Sequence, residues 1–241
     1  LDLNRPTEIL ELCEQPVFSP GELGTFDDSG VTPSCLAFVG GKTYLYYVGW
    51  NPGSTVRVHL FGGVAERHGE MFERVSRAPV LERNAVDPFL NTAPWVVEDK
   101  ELTMYYVAGV GWDHPNLPRY RIKFAKSSDG ISWDREHDWV AIDFAHSDET
   151  ALARPVVLRD GGFFRMWFSA KRLNYSIGYA ESVDGVEWVR NDAHAGLLPS
   201  QSGWDSQMVE YGSVVEHEGH YFLFYNGNDY GHDGFGLAVS D

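Results

Sequence analysis

The sequence predicts an all-β fold, a β-propeller built from four-stranded antiparallel blades. Three observations predict it. Four hairpin-like segments recur at nearly constant spacing, a turn signature follows most of them, and almost no stretch holds helical periodicity over a useful length.

The hairpins are Pro33–Gly49 (PSCLAFVGGKTYLYYVG), Pro94–Gly109 (PWVVEDKELTMYYVAG), Pro155–Ala170 (PVVLRDGGFFRMWFSA) and Gly212–Gly227 (GSVVEHEGHYFLFYNG). Each has an apolar run, a turn rich in Gly, Asp or Lys, then an aromatic run, which is the pattern of a β-hairpin. Their starts lie 61, 61 and 57 residues apart. A β-sandwich also accounts for short strands, but not for such regular spacing.

The turn signature predicts a second hairpin in each unit. Ser128-Asp129-Gly130 leads to Trp133, Val183-Asp184-Gly185 to Trp188, and His68-Gly69 to Phe72. Asp-Gly supplies the positive φ that a tight turn needs. Strands three and four are therefore expected at Tyr120–Lys126 with Trp133–Asp134, and at Ser176–Ala180 with Glu187–Val189. Four such strands per unit make a propeller blade.

The chain reads as one propeller domain over 1–241, with blades at about 27–83, 84–144, 145–199 and 200–241. The last unit ends on its third strand, Phe235–Ser240. The segment 1–26 is expected to be the remnant of an earlier blade or a strand that closes the ring, with Leu1–Leu12 as a lone outer strand.

Composition narrows the partners. Formal net charge is −16, which disfavours nucleic acid and anionic membranes, since a polyanion needs clustered Lys and Arg. No apolar run approaches the ~18 residues of a membrane span. The first residues do not read as a signal peptide, so a cytoplasmic address is expected. Cys13 and Cys35 fit no metal spacing and no disulfide framework, and free thiols are expected. The nine His show no metal spacing either. Aromatics reach 14%, which suits stacked sheets or a sugar-binding surface.

The signature Ala-x-Ser-x-Asp-Gly-x-x-Trp, at Ala125–Trp133 and Ala180–Trp188, resembles that of the five-bladed propeller superfamily of glycoside hydrolase families 43, 32, 62, 68 and 130. The segments GELGTFDD (Gly21–Asp28), GWDSQM (Gly203–Met208) and YNGNDYGHDGFGLAV (Tyr225–Val239) are similar to those of an uncharacterised bacterial group of predicted glycosidases. The resemblance spans essentially the whole chain. It implies a carbohydrate-active protein, a glycosidase of the family 43 kind, with a further blade before GELGTFDD. A non-catalytic carbohydrate-binding propeller and a family-130-like phosphorylase are the alternatives. The superfamily also allows a channel cation such as calcium, which this sequence does not indicate. No cofactor is expected.

The candidate chemistry rests on carboxylates. Inner strands of a propeller start at one face of the axial channel, and Asp28, Asp87, Glu149 and Glu210 stand just before the four landmark residues. Crowded carboxylates raise one another's pKa and can create the acid that glycoside hydrolysis needs. The family 43 resemblance implies Glu149 as general acid and Asp87 as the residue that tunes it. It leaves the base to Asp28, to Asp27, or to a residue outside this chain. Arg154 and Glu210 are candidates for contacting substrate, as are Trp50, Trp112, Asn226 and Asn228, with Tyr230 at the same rim. Other readings stay open: a turn at Asp87-Pro88, a Glu149–Arg154 ion pair, a turn or cap at Asp205, and loop roles for both Asn residues. A ring short of a blade would expose strand edges and apolar faces, so self-association is expected.

Overall fold

A computed structural model describes residues 2–11 and 13–240. Its strands group into four sets. The first holds β1 (Gly30–Val39), β2 (Lys42–Pro52), β3 (Val58–His68) and β4 (Met71–Arg74). The second holds β5 (Asn91–Glu98), β6 (Leu102–His114), β7 (Leu117–Ser127) and β8 (Val140–Ile142). The third holds β9 (Ala151–Asp160), β10 (Phe163–Lys171), β11 (Tyr175–Ser182) and β12 (Val189–Arg190), and the last holds β13 (Glu210–His217), β14 (His220–Asn226) and β15 (Phe235–Val239). Within each set consecutive strands pair antiparallel. The protein is thus all-β, a β-propeller of antiparallel blades.

Each blade's second strand is an aromatic run because it is buried on both faces. Tyr46 and Tyr47, Tyr105 and Tyr106, and Trp167 and Phe168 are all nearly inaccessible. In the first two blades, one residue of the pair reaches to the next blade and the other turns back. Tyr46 donates its hydroxyl proton to the Gly130 carbonyl at 2.7 Å, and Tyr105 does the same to Gly185 at 2.7 Å. Those carbonyls belong to the Asp-Gly turns of the next blade. The turn signature is therefore an interblade latch. Asp129 accepts from the amides of Ile131 and Ser132, which shapes the turn, and Gly130 supplies φ +75°. Trp133 then packs edge-on against Tyr46, and Trp188 against Tyr105. Adjacent blades also meet at single parallel bridges, Phe61 with Asn91 and Tyr120 with Ala151.

Three expectations change. The fourth strand of the third blade is Val189–Arg190 rather than Glu187–Val189, because the Glu187 amide is held by the Asp184 carboxylate in the turn. The fourth strand of the second blade is Val140–Ile142, not Trp133–Asp134, which makes only one bridge, Lys126 to Asp134. Trp133 is committed to the neighbouring blade and cannot also extend a strand. The expected Leu1–Leu12 strand, whose two end residues lie outside the described ones, is not seen: residues 3–7 form turns and bends and residues 8–11 have no regular structure. There the Asp2 carboxylate accepts from the amide of Asn4, and Arg5 pairs with Glu8, so local polar bonds displace strand pairing. Cys13 and Cys35 are free thiols.

Inner strands β1, β5, β9 and β13 line the axis. β1 touches β5, β5 touches β9, and β9 touches β13. Between β13 and β1 lies a cavity of about 1310 Å³.

Candidate active site

Every inner strand carries an irregularity at its landmark residue. The register shifts between Pro33 and Cys35, between Thr92 and Trp95, opposite Trp167–Ser169, and between Glu210 and Ser213. Three of these bulges put a non-glycine residue at positive φ: Ala93 (48°), Arg154 (50°) and Tyr211 (52°). Each such backbone costs roughly 1–3 kcal/mol and persists only where the surroundings impose it. The bulge re-aims side chains, as bulges beside active sites do. Arg154 and Tyr211 turn into the channel, with the Arg154 guanidinium 5.6 Å above the Tyr211 ring and donating to the Pro33 carbonyl at 2.8 Å.

The face where the inner strands start opens into a cavity of about 480 Å³, within the ordinary size of a small-molecule site. Its walls come from all four blades: Trp50 and Arg57, Trp112 and Tyr120, Lys171 and Tyr175, and Tyr211 and Tyr230. Below it, Leu60, Tyr120 and Tyr211 continue into a smaller space of about 160 Å³ that Arg154 and Ala93 also line. The tyrosines form a connected cluster, with the Tyr120 and Tyr175 hydroxyls 2.6 Å apart.

Glu210 lies at this end of β13 and is fully inaccessible. Neither of its carboxyl oxygens has a hydrogen-bond partner among the described residues. Burial pushes its pKa up to about 8, against the opposing pull of Lys171 and Arg154. Glu210 is therefore protonated at neutral pH. Burial also pushes the Tyr120 hydroxyl up to about 12.

The other carboxylates sit elsewhere. Tyr106 donates to Asp87 at 2.8 Å, and the buried Lys123 ammonium pairs with Asp87 at 2.5 Å. Arg135 stands 3.8 Å away. The Glu149 carboxylate takes the Arg190 guanidinium on both oxygens, at 2.9 Å for Nη1, and the amide of Ala145 at 2.7 Å. Burial raises the Glu149 pKa, but Arg190 and the amides outweigh it and leave it below the ordinary value. The Glu149–Arg154 ion pair that the sequence left open does not form: Glu149 pairs with Arg190, and Arg154 instead donates to the Pro33 carbonyl of β1.

These contacts obey a repeat that the landmark residues hid. Tyr47 donates to Asp27 at 3.0 Å, Tyr106 to Asp87, and Tyr225 to Asp205 at 3.0 Å. In each case the carboxylate precedes the tyrosine by 19 or 20 residues. Glu149 precedes Phe168 by the same interval, and there Arg190 fills the missing role, 5.2 Å over the Phe168 ring. Arg74 does the like in the first blade, bonded to Asp27. One buried carboxylate per blade thus ties the segment entering the blade to the strands within it.

The first-blade member is Asp27. Asp28 turns away and accepts from the Gly24 amide at 2.9 Å and the Ser29 hydroxyl, which hold its pKa low. Asn228 is buried and structural, accepting from the amides of Gln207 and Met208 and donating to the Gly203 carbonyl. Asn226 packs against Gly231. Of the residues singled out in the sequence, the structure gathers Trp50, Trp112, Tyr230, Arg154 and Glu210 around the axis. It does not bring Asp28, Asp87 or Glu149 to the walls of that space. Tyr120, Tyr175 and Tyr211 were not foreseen there, and Lys171 was marked in the sequence only as a candidate, with Arg154 and Arg172, for the phosphate site that a phosphorylase would need. The signal for Lys171 was its place at the end of a second strand, equivalent to Trp50 and Trp112.

Solved structures share this architecture. A family-43 glycoside hydrolase described as thermostable superposes with a TM-score of 0.66 over 85% of this chain and 69% of its own, at 18% identity. An α-L-arabinofuranosidase from Lactobacillus brevis gives 0.66 over 93% and 76%, at 12% identity. An endo-arabinase from Bacteroides thetaiotaomicron gives 0.64 over 91% and 78%, at 13% identity. The fold is that of the glycoside hydrolase propellers. No family model matches the sequence. The chain belongs to the family of the uncharacterised proteins MT1551 and Rv1502 of two Mycobacterium tuberculosis strains, CDC 1551 / Oshkosh and H37Rv. Each is 40% identical over 243 residues, covering 99% of this chain and 81% of the relative.

Proposed function

We propose that this protein acts on a carbohydrate at the axial mouth and that Glu210, not Glu149, is its proton-donating carboxyl. The observation that carries this reading is a buried carboxyl with two unpartnered oxygens, next in sequence to Tyr211 and close enough to feel Lys171, both of which line the aromatic-walled opening. Trp50, Trp112 and Tyr230 offer ring faces to the apolar face of a sugar. A protonated Glu210 gives its proton to the glycosidic oxygen as the C–O bond breaks and the alcohol departs neutral; water forms the new C–O bond at the anomeric carbon, and the proton it releases restores the Glu210 carboxyl. The similarity of the fold to glycoside hydrolases supports the same class of ligand.

Asp87 and Glu149 act in this reading as structural clamps. Both are tied into buried ion pairs, with Lys123 and with Arg190, and neither reaches the mouth.

A non-catalytic carbohydrate-binding propeller is the second reading. One observation favours it: among the described residues no carboxylate lines the mouth, Glu210 lying buried behind its wall, and hydrolysis ordinarily uses a pair. The two readings separate in one experiment. Aryl glycosides are assayed with the protein and with Glu210→Gln, alongside sugar binding followed by tryptophan fluorescence. Turnover abolished in Glu210→Gln with binding kept supports the acid role. Binding without turnover in either form supports the second reading, and absence of both refutes the carbohydrate assignment.

We also propose that a second copy covers the cleft between β13 and β1. Leu36, 63% exposed, and Val215, 38% exposed, face it as unburied apolar side chains. Light scattering at micromolar concentration tests this, and a monomer there contradicts it.

A further inference from the structure

The charge of the axial mouth is opposite to that of the protein. The chain carries −16 overall, yet the only charged side chains lining the mouth, among the described residues, are Arg57 and Lys171. The space beneath adds Arg154 and no acid. These three cations have no salt bridge among the described residues, whereas Arg74, Lys123 and Arg190 are each paired with a buried carboxylate. Lys171 is held in place by aromatic neighbours, its ammonium 5.2 Å over the Tyr175 ring and 3.5 Å from the Tyr230 hydroxyl. A solvated surface in so acidic a protein would surround its cations with carboxylates. Here they converge on one opening, where low-dielectric walls focus their field.

From this arrangement we infer that the ligand is an anionic sugar, one bearing a carboxylate or a phosphate ester, with Lys171 and Arg57 taking the anionic group while Trp50 and Trp112 stack on the ring. The inference rests on the carbohydrate reading above. Charge-assisted hydrogen bonds are about twice as strong as neutral ones, so the anionic group governs affinity. The neutral state of Glu210 fits this role, because an ionised carboxylate there would compensate Lys171 and Arg154 and repel the ligand.

Calorimetry tests the inference with D-glucuronate and D-galacturonate, their neutral parents D-glucose and D-galactose, glucose 6-phosphate, and inorganic phosphate. At least one anionic sugar is expected to bind about tenfold tighter than its neutral parent. Lys171→Met and Arg57→Met should erase that preference, bringing the affinity of the anionic sugar down to that of its neutral parent. Preference for the uronates assigns the carboxylate, and preference for the phosphate ester assigns the phosphate. Equal binding of neutral and anionic sugars overturns the inference and leaves the carbohydrate reading standing. Binding of inorganic phosphate with no added contribution from a sugar overturns it too. Failure of every sugar overturns both.

Discussion

The Tyr106 hydroxyl donates to the Asp87 carboxylate at 2.8 Å, and 19 residues separate the two. The same bond recurs between Tyr47 and Asp27 and between Tyr225 and Asp205. A recurring bond of this kind belongs to the architecture of a blade, and it changes what the carboxylates are for.

Asp87→Asn is expected to unfold the protein more easily. It removes the buried counter-charge of the Lys123 ammonium, 1% exposed, and leaves it only the exposed Asp138 carboxylate at 2.9 Å. Breaking one partner of a buried pair costs about 3–5 kcal/mol, and a domain of this size loses roughly 2–4 °C of Tm per kcal/mol. Tyr106→Phe removes only a hydrogen bond to a charged group, about 1.5–3 kcal/mol. Calorimetric melting checks both. An unchanged Tm with lost activity would return Asp87 to the active site.

Glu149 makes stability depend on acid. Its folded pKa lies below the ordinary carboxylate value, so its stabilisation is present above that value and is lost as pH falls through the folded pKa. Urea melts across pH 2–6 should show this loss diminished in Arg190→Met, which removes the partner. An identical pH profile in the two proteins would contradict the pairing.

Glu210 has the opposite sign. Its folded pKa of about 8 stands above the unfolded value of 4.5, so the folded state holds a proton that the unfolded state releases. Stability then falls as pH rises from 4.5 to 8 and levels off above. Lys171, Arg154, Tyr120 and Tyr211 face this carboxyl, and the two cations limit the shift. Glu210→Gln should raise Tm at about pH 8 and leave it nearly unchanged at about pH 4. A variant that melts lower at the higher pH would mean that the carboxylate is ionised and bonded.

Trp50→Ala and Trp112→Ala are each expected to weaken sugar binding roughly five-fold, about 1 kcal/mol of ring stacking, with little change in Tm because both rings stand at the rim. Fluorescence titration and melting together check this. Lost stability without lost binding would make both residues packing elements.

The fold was legible in the sequence because hairpin chemistry is local. Asp-Gly and the aromatic runs announce strands over a few residues, and their spacing announces repetition. The carboxylate clamp was not read correctly, although its interval of 19 or 20 residues is present in the sequence. Choosing Asp28 over Asp27 is an error of one residue, and in an extended chain one residue reverses the direction of a side chain. Asp205 was displaced by Glu210, which stands nearer the landmark Gly212. Arg190 lies 41 residues from Glu149, and nothing local marks that pairing. The bulges at Ala93, Arg154 and Tyr211 were marked by the residues that follow them, Pro94, Pro155 and Gly212, without any sign that φ would be positive.

Everything proposed for the mouth turns on which carboxyl holds a proton at neutral pH. Titration of the side-chain carboxyl carbons by ¹³C NMR, with Glu210→Gln and Glu149→Gln supplying the assignments, measures it directly. A midpoint near 8 is expected for Glu210 and one below 4.5 for Glu149. An ordinary midpoint near 4.5 for Glu210, with a raised one for Glu149, would contradict the proton-donor role of Glu210 and restore Glu149 as the acid.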